Sequence, residues 1–143
     1  LDREGLWEEK FGSHTDSKPH GPMSVGSDIT FPGSANLFGL PEHASSTALK
    51  RTIGENAEYK HPYRLYNLDV FEYDLDVPMA LYGAVPLLVS QSMRTGTTGV
   101  FWFNPTETFV DIDDDDKGSK TSHWMSESGI IDVFFIPGKC NKR

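Results

Sequence analysis

Apolar and polar residues alternate along several short stretches of the chain, which is the pattern of half-buried β-strands. The alternation is clearest from Met23 to Phe31, where Met23, Val25, Ile29 and Phe31 share one parity. Serine, aspartate and threonine take the other parity, and Pro32-Gly33-Ser34 then ends the run. This stretch is therefore predicted to be a strand with one buried face.

Further runs of strand length follow, separated by turn residues. The other candidate strands are residues 47–53, 63–73, 79–89, 99–103, 107–112 and 130–136. The first is weak, and Pro86 makes 79–89 either an edge strand or two short strands. Residues 130–136 are almost continuously apolar, which is typical of a strand in a sandwich core. Since apolar residues recur nowhere at helical spacing, the pattern predicts an all-β fold, an antiparallel β-sandwich with long connections.

The pattern also predicts how the chain is organised. Residues 1–22 are polar and broken by glycine and proline, so they predict an extended or looping arm that Trp7 and Phe11 would pin to a core. Residues 23–138 are the predicted sandwich, and residues 139–143 read as a truncated boundary. Within the sandwich, residues 113–123 hold four adjacent aspartates followed by Lys117 and a Gly/Ser-rich stretch, which predicts an acidic flexible loop. An EF-hand needs spaced carboxylates, so a calcium loop is disfavoured.

Size, charge and aromatic content narrow the class of protein. The 143 residues suit one domain, and nine Phe, three Trp and five Tyr suit a pleated surface on which flat rings pack. The net charge of −8 argues against a nucleic-acid partner or an anionic membrane surface, because both require clustered cations. No apolar run approaches the length of a membrane span.

Candidate catalytic chemistry is sparse. No pair of acidic residues lies in a sequence context that would raise the pKa of one carboxyl group and keep the other ionised. The five histidines lack metal-ligand spacing. We therefore expect no catalytic residue, no metal and no cofactor in this chain. Glu42-His43 is an acid beside a base, but its place after Gly39-Leu40-Pro41 favours an ordinary turn.

One stretch has the composition of a sugar-binding edge. Residues 63–73 mix aromatic side chains with Arg, Asn and Asp, and sugars are bound by carboxylates and amides together with aromatic faces. Strand alternation would place Asn67, Asp69 and Phe71 on one side. From the pattern alone, an ordinary strand whose polar positions face solvent is the favoured interpretation, because such polar faces are the rule.

Several segments, taken in order, carry a resemblance to a known family. They are Gly21-Pro22-Met23-Ser24-Val25-Gly26, Phe38-Gly39-Leu40-Pro41-Glu42-His43-Ala44, Tyr63 to Phe71, Pro78-Met79-Ala80-Leu81-Tyr82-Gly83, and Trp124-Met125-Ser126-Glu127-Ser128-Gly129-Ile130-Ile131-Asp132-Val133-Phe134. From about Trp7 to about Gly138 the chain resembles the N-terminal domain of the glucosidase II α-subunits, within glycoside hydrolase family 31. Tyr-Asn-Leu-Asp and Trp-Met-Ser-Glu-Ser-Gly are the distinctive motifs.

The resemblance implies a galactose-mutarotase-like β-sandwich that precedes a catalytic (β/α)₈ barrel. It implies a retaining α-glucosidase of the endoplasmic-reticulum lumen that trims α-1,3-linked glucose from N-glycans of new glycoproteins. The implied partners are that barrel, the non-catalytic β-subunit of glucosidase II and the glucosylated N-glycan. By position the family's substrate-contacting loop motif falls on Asn67 and Asp69. The resemblance makes Asp69 a partner for sugar hydroxyls and Phe71 an apolar wall beyond the cleaved glucose.

The family's nucleophile motif, Trp-x-Asp-Met-Asn-Glu, does not occur in this chain, and residues 112–123 are shorter and more acidic than the family leads us to expect. The chain alone is therefore predicted to be inactive and to supply a substrate-site loop and a packing surface. The alternative is a stand-alone carbohydrate-binding or scaffold module. A piece of an enzyme should expose an apolar face, whereas a free module should have a closed polar surface.

Overall fold

The computed structural model describes residues 7–18, 24–115 and 117–138, with the backbone alone given for residues 7–11 and 14–18. The described residues form strands and no helix, as the alternation of apolar and polar positions predicts. The strands are β1 (Trp7–Phe11), β2 (His14–Lys18), β3 (Val25–Phe31), β4 (Asn36–Gly39), β5 (Tyr63–Leu65), β6 (Leu87–Ser92), β7 (Gly96–Trp102), β8 (Thr108–Asp114), β9 (Lys120–Ser126) and β10 (Val133–Pro137).

Eight of these strands form two antiparallel sheets of four. Sheet I has the order β10-β7-β6-β4, and sheet II has the order β3-β9-β8-β5. Strands β1 and β2 pair with each other as a hairpin, in register from Trp7 opposite Lys18 to Phe11 opposite His14. Part of the predicted extended arm is thus a hairpin, and the side chains of Trp7 and Phe11 lie outside the described residues.

The core lies between the two sheets, because alternate residues of each strand point inward. Strand β8 buries Thr108, Val110 and Ile112, and β9 buries Ser122, Trp124 and Ser126 against residues of sheet I. The indoles of Trp102 on sheet I and Trp124 on sheet II stack with ring centroids 5.5 Å apart and planes 17° apart. The Nε1–H of Trp102 donates to the Ser126 hydroxyl at 2.9 Å, so the two sheets are joined by both packing and a buried hydrogen bond.

Several predicted strands match the structure. Strand β3 shows the alternation expected of residues 23–31, with Phe31 buried and Asp28 exposed. Strand β7 holds all but the last residue of the predicted run 99–103, and β8 holds all but the first residue of the run 107–112. Strand β7 begins earlier than predicted, and β8 ends later. In the 79–89 run the strand begins only after Pro86, because β6 starts at Leu87. The antiparallel β-sandwich is confirmed.

Two predicted strands are wrong or much shorter than expected. Residues 47–53 contain only an isolated bridge from Phe38 to Ala48. Of residues 63–73, only Tyr63–Leu65 pair as a strand, because the chain leaves sheet II after Leu65. Aromatic and polar residues continue to alternate up to residue 73. The backbone after Leu65 makes no ladder with sheet II, and Leu68 N–H donates to the Leu81 carbonyl instead.

The acidic run also differs from expectation. Asp113 and Asp114 belong to β8, and β9 begins at Lys120, so a hairpin occupies most of the predicted 113–123 loop. Asp113 pairs with Arg51 at 2.8 Å and Asp114 with Lys120 at 2.6 Å. These cations offset the repulsion among the carboxylates, so the strand extends into the acidic run.

Residues 130–136 are not a buried core strand. Strand β10 is an edge strand of sheet I, paired with β7, and its side chains after Val133 are exposed. Register with Trp102 and Val100 turns Val133 and Phe135 toward the inner side of the sheet, yet Phe135 is 63% exposed. The strand therefore projects beyond the edge of the core.

Candidate functional site

Asn67, Asp69 and Phe71 lie on the long connection that carries the chain from β5 in sheet II to β6 in sheet I. We call residues 66–86 the crossover loop. Its residues are outside regular structure, so the expected strand alternation does not order these three side chains on one face. The three residues are neighbours only because they lie within five positions of one exposed loop.

The crossover loop is held by a turn at residues 40–44 that follows β4. Gly39 and Leu40 have the positive φ values of 114° and 54° that let the chain reverse there, and a Cβ on Gly39 would come within 2.2 Å of the Leu87 carbonyl oxygen. From this turn, Glu42 N–H donates to the Gly83 carbonyl at 2.7 Å, and the Glu42 carbonyl accepts from Leu81 N–H at 3.1 Å. The turn therefore provides the backbone partners that a neighbouring strand would otherwise supply.

The Glu42-His43 pair takes part in this turn. The Glu42 carboxylate accepts a hydrogen bond from Gly83 N–H at 2.8 Å, and His43 Nδ1 lies 2.9 Å from the Leu40 carbonyl oxygen. The His43 ring packs against Tyr63 at 5.0 Å between centroids, and burial lowers the pKa of His43. Both side chains stabilise the turn, which is the interpretation that the sequence favoured.

The three candidate binding residues are all exposed. Phe71 is fully exposed, and no hydrogen bond from the described residues occupies the side chains of Asn67 or Asp69. The backbone near them is fixed, since Leu68 N–H donates to the Leu81 carbonyl at 2.7 Å and the Tyr82 hydroxyl donates to the Val70 carbonyl at 3.3 Å. The loop thus holds a carboxylate, an amide and a phenyl ring in solvent on an anchored backbone.

A cleft of about 580 Å³ opens beside Asn67. Its lining includes Tyr66, Asn67, Phe101, Phe103, Thr106 and Glu107. Arg64 Nε donates to the Glu107 carboxylate at 2.5 Å, and the Arg64 guanidinium lies over the Tyr66 ring at 4.6 Å. Neither Asp69 nor Phe71 lines this cleft. Sequence reasoning missed Glu107 and Phe103, which are distant along the chain and carry no recognisable motif.

A second exposed feature lies on the outer face of sheet I. The rings of Phe101, Phe103 and Phe134 contact one another with centroids 6.0–6.2 Å apart, and we call them the outer aromatic cluster. Phe103 and Phe134 are more than half exposed, and Ile130, Ile131 and Ile136 nearby in sequence are also exposed. Since Phe101 and Phe103 also line the cleft, the cleft and this apolar face are continuous.

The acidic hairpin is built as a closed turn. The Asp115 carboxylate accepts hydrogen bonds from the backbone N–H groups of Lys117 and Ser119 at 3.0 Å and 2.6 Å, and the bond from Ser119 lowers the pKa of Asp115.

Across the described ranges no three His, Cys, Asp or Glu side chains gather in a way that could hold a metal ion. Across those same ranges, no helix is long and apolar enough to span a membrane.

Two antiparallel sheets around one apolar core, with an exposed loop that carries aromatic, amide and carboxylate side chains, define an antiparallel β-sandwich domain. A family model supports this class. Residues 2–111 match the model described as the glycosyl hydrolase 31 N-terminal galactose mutarotase-like domain, and the chain belongs to this family.

Curated relatives make the relationship more specific. The chain is 59% identical over 138 residues to the neutral alpha-glucosidase AB of Dictyostelium discoideum, covering 94% of this chain and 14% of that protein. It is 47% identical over 155 residues to the neutral alpha-glucosidase AB of Mus musculus, covering 96% of this chain and 16% of that protein. The chain thus spans about a seventh of the length of these relatives.

Solved structures agree in fold and in sequence. A crystal structure of an ER glucosidase II heterodimeric complex, consisting of the catalytic subunit and the binding domain of the regulatory subunit, matches with a TM-score of 0.76 and 46% identity. That match covers 96% of this chain and 17% of the other. A Glc1Man2-bound glucosidase II alpha subunit matches with a TM-score of 0.75 and 48% identity, over 93% of this chain and 16% of the other. The resemblance to the glucosidase II α-subunits is confirmed.

Proposed function

We propose that this chain is the N-terminal β-sandwich part of an α-glucosidase of the endoplasmic-reticulum lumen. That enzyme trims α-1,3-linked glucose from the N-glycans of new glycoproteins by a retaining mechanism. Its partners are the catalytic barrel of the same enzyme, the non-catalytic β-subunit of glucosidase II and the glucosylated glycan. Family membership and 59% identity to a neutral alpha-glucosidase AB support this proposal.

The exposed crossover loop is the observation that carries the chain's own role. Burying a phenylalanine side chain stabilises a protein by about 1.5–3 kcal/mol, and the fully exposed Phe71 gains none of this within the described residues. Among the described residues, the Asp69 carboxylate likewise has no hydrogen-bond partner. Both side chains are therefore free to contact a substrate on the leaving-group side, with Asn67 beside them at the edge of the cleft.

The mechanism divides the work between this chain and the barrel. Retaining hydrolysis requires two carboxyl groups about 5–5.5 Å apart across the scissile bond. The barrel supplies both of them. Asp69 accepts hydrogen bonds from hydroxyls of the sugar that leaves, and Phe71 covers an apolar face of that sugar. The loop thus holds the leaving group in place while the barrel breaks the bond.

The outer face of sheet I supplies the packing surface. The outer aromatic cluster and exposed β10 form an apolar face of the kind that a free carbohydrate module would not display. This observation favours part of an enzyme over the stand-alone module. A module remains the second candidate because the loop has a sugar-binding composition, and unaided binding of a diglucoside by this chain would favour it.

The test compares substrates with different leaving groups in the full-length enzyme that contains this chain. A charge-assisted hydrogen bond contributes about 1.5–3 kcal/mol, so Asp69→Ala should lower kcat/KM for an α-1,3-linked diglucoside by about 10- to 100-fold. An aryl α-glucoside lacks the second sugar and should lose much less. Phe71→Ala should show the same bias more weakly, and this chain alone should hydrolyse neither substrate.

Glu55→Ala is the matched control, because Glu55 is an exposed acidic residue of a different turn. It should leave both substrates within about twofold of the parent enzyme. Equal losses on both substrates in Asp69→Ala, together with a lower melting temperature, would remove Asp69 from the binding site. Turnover by this chain after chromatography would contradict the division of labour.

A further inference from the structure

The far end of the crossover loop is fixed by an aspartate in an unusual backbone conformation. Asp76 has a φ of 62°, in the left-handed region where Asp and Asn are enriched among non-glycine residues. Its N–H donates to the Ala44 carbonyl at 2.7 Å, in the same 40–44 turn that holds Gly83 and Leu81. The loop is thus bound to this turn at both of its arms.

The Asp76 carboxylate has two further partners. Its Oδ1 accepts hydrogen bonds from Lys50 Nζ at 2.5 Å and from the Tyr59 hydroxyl at 2.8 Å. Because the Tyr59 O–H is donated to Asp76, the hydroxyl of Ser45 must donate to the Tyr59 oxygen. Lys50 Nζ also lies 5.0 Å from the centre of the Tyr59 ring. A carboxylate, an ammonium and two hydroxyls therefore form one connected network.

This network is rooted in the core. Tyr59 is 6% exposed and packs edge-on against buried Tyr63 at 6.0 Å between centroids. The Tyr63 hydroxyl accepts the N–H of Lys50 at 2.8 Å, which fixes the backbone of the residue whose ammonium holds Asp76. The partners of Asp76 are thus anchored in the sandwich, while Asp76 itself belongs to the crossover loop.

Between the two attachment points lies the arc of residues 69–75, which carries Asp69 and Phe71. Among the described residues, the bond from the Tyr82 hydroxyl to the Val70 carbonyl is the one hydrogen bond that ties this arc to the rest of the chain. Leu68 anchors the arc at one end and Asp76 at the other. With both ends fixed, the arc can occupy only a narrow range of positions.

We propose that Asp76 is a positioning residue, whose contacts with Lys50 and Tyr59 set where the arc presents Asp69 and Phe71 to the leaving-group sugar. The proposal rests on the proposed function of Asp69 and Phe71. It assigns to Asp76 a part in selecting substrates although Asp76 itself touches no sugar. Small errors in the placement of a substrate contact are costly in rate, so the end of the arc matters to the reaction.

The ionisation of the network fits this role at neutral pH. The hydrogen bond from Lys50 lowers the pKa of Asp76, and the bond to Asp76 raises the pKa of Lys50. A lowered aspartate pKa contributes stability above the unfolded value of about 3.9 that is lost as the pH falls below it. A raised lysine pKa contributes stability below about 10.4 that is lost as the pH rises further. We call the contacts of the Asp76 carboxylate with Lys50 and Tyr59 the tether. Between these two pH limits both charges are present and the tether is intact.

The first experiment measures the tether in this chain by hydrogen exchange and by chymotrypsin cleavage after Phe71 or Tyr73. Lys50→Met removes the ammonium without changing residue 76. It should speed exchange of the Asp76 N–H by about tenfold or more, because local opening becomes easier. Cleavage in the arc should accelerate in both Lys50→Met and Asp76→Ala. Asp74→Ala is the control, since Asp74 is exposed and has no hydrogen-bond partner among the described residues.

Amides of β7 and β8 should keep their exchange rates within about twofold in every variant. If the Asp76 N–H and the cleavage rate do not change, or if all strands exchange faster together, the proposed tether is wrong. Since this first experiment uses no substrate, its outcome does not depend on the proposed function.

The second experiment uses the full-length enzyme. Asp76→Ala should lower the ratio of kcat/KM for the diglucoside to that for the aryl α-glucoside by about 3- to 10-fold. In a background that carries both Asp69→Ala and Phe71→Ala it should cause little further loss, because it acts through those two contacts. Asp76→Asn should recover most of the ratio, since asparagine tolerates a positive φ and still accepts from Tyr59.

A ratio in Asp76→Ala equal to that in Asp74→Ala would overturn the positioning role while leaving Asp69 in place. If Asp69→Ala itself shows no substrate bias, the proposed function of the loop fails, and Asp76 with it loses its role in substrate selection. In that case the exchange data still decide whether Asp76 holds the arc.

Discussion

Two aromatic clusters lie on opposite faces of sheet I, where β7 ends at Trp102. On the inner face, Trp102 stacks on Trp124 and donates its Nε1–H to Ser126, with both indoles almost completely buried. On the outer face, Phe101 and Phe103 meet Phe134 of β10, and two of these three rings are more than half exposed. The two clusters are similar in ring contacts and opposite in solvent exposure.

The difference in exposure indicates which face of sheet I has its partner within this chain. A strand that is apolar on both sides is typical of sheets that are covered on both faces, whereas a half-exposed sheet alternates apolar and polar residues. Sheet II covers the inner face of β7, whereas Phe103 and Phe134 of the outer cluster stay more than half exposed among the described residues. The outer cluster therefore has the composition of a buried surface, in keeping with the proposed packing against a catalytic barrel.

The comparison predicts that the largest loss of stability follows truncation of the inner cluster. Trp102→Ala leaves a large cavity between the sheets, so the free energy of unfolding of this chain should fall by about 3–5 kcal/mol. Urea denaturation measures it. Phe103→Ala, at the residue that follows β7 in the outer aromatic cluster, should cost less than about 1 kcal/mol. Similar losses in the two variants would show that the outer cluster is covered in this chain.

A smaller effect is expected from the polar contact beneath the inner cluster. Ser126→Ala leaves the buried Trp102 Nε1–H without its acceptor and removes the Ser126 partner of the Thr108 hydroxyl at 2.6 Å. The unfolding free energy should fall by about 1–3 kcal/mol, since a buried donor loses its partner. Ser46→Ala, at an exposed serine, is the control and should change it by less than about 0.5 kcal/mol. No loss in Ser126→Ala would mean that water replaces the serine.

The smallest effect on stability is expected on the outer face, where the change should appear in association instead. Phe134→Ser should alter the unfolding free energy of this chain by less than about 1 kcal/mol, because Phe134 is already half exposed. It should reduce binding of a dye that reports apolar surface and reduce self-association measured by sedimentation. Adding the catalytic part should have the same effect on the parent chain. Unchanged dye binding would place the reactive surface elsewhere.

The strands that the sequence predicts well are those whose buried parity is apolar, such as β3 and β8. Strand β9 was missed because two of its three buried side chains are Ser122 and Ser126, which are satisfied by hydrogen bonds rather than by apolar contact. Hydropathy cannot distinguish such a strand from a polar loop. Strand β10 shows the opposite error. Its continuous apolar run predicted a buried strand, but its side chains after Val133 are exposed.

The candidate site shows the same limit of pattern reasoning. Residues 66–73 alternate like a strand, yet their backbone is held by Leu81 and Tyr82, further along the crossover loop. The 40–44 turn holds the loop through Leu81, Gly83 and Asp76, and no local pattern reveals such contacts between distant segments. Asn67, Asp69 and Phe71 were singled out by composition and by family resemblance, and their place on an exposed loop fits a binding role. The Lys50–Asp76 tether needed the structure, because its members lie 26 positions apart.

The exposed outer face of sheet I also matters during synthesis of the polypeptide on the ribosome. Ribosomes add about 5–20 residues per second, and N-terminal domains fold first. In a polypeptide of the relatives' length, which is about seven times that of this chain, the remainder takes on the order of a minute or more to follow. Throughout that interval a finished sandwich displays the rings of Phe103 and Phe134 and the free edge of β10. In such a nascent polypeptide this apolar face would stay exposed to solvent until a later segment packs against it.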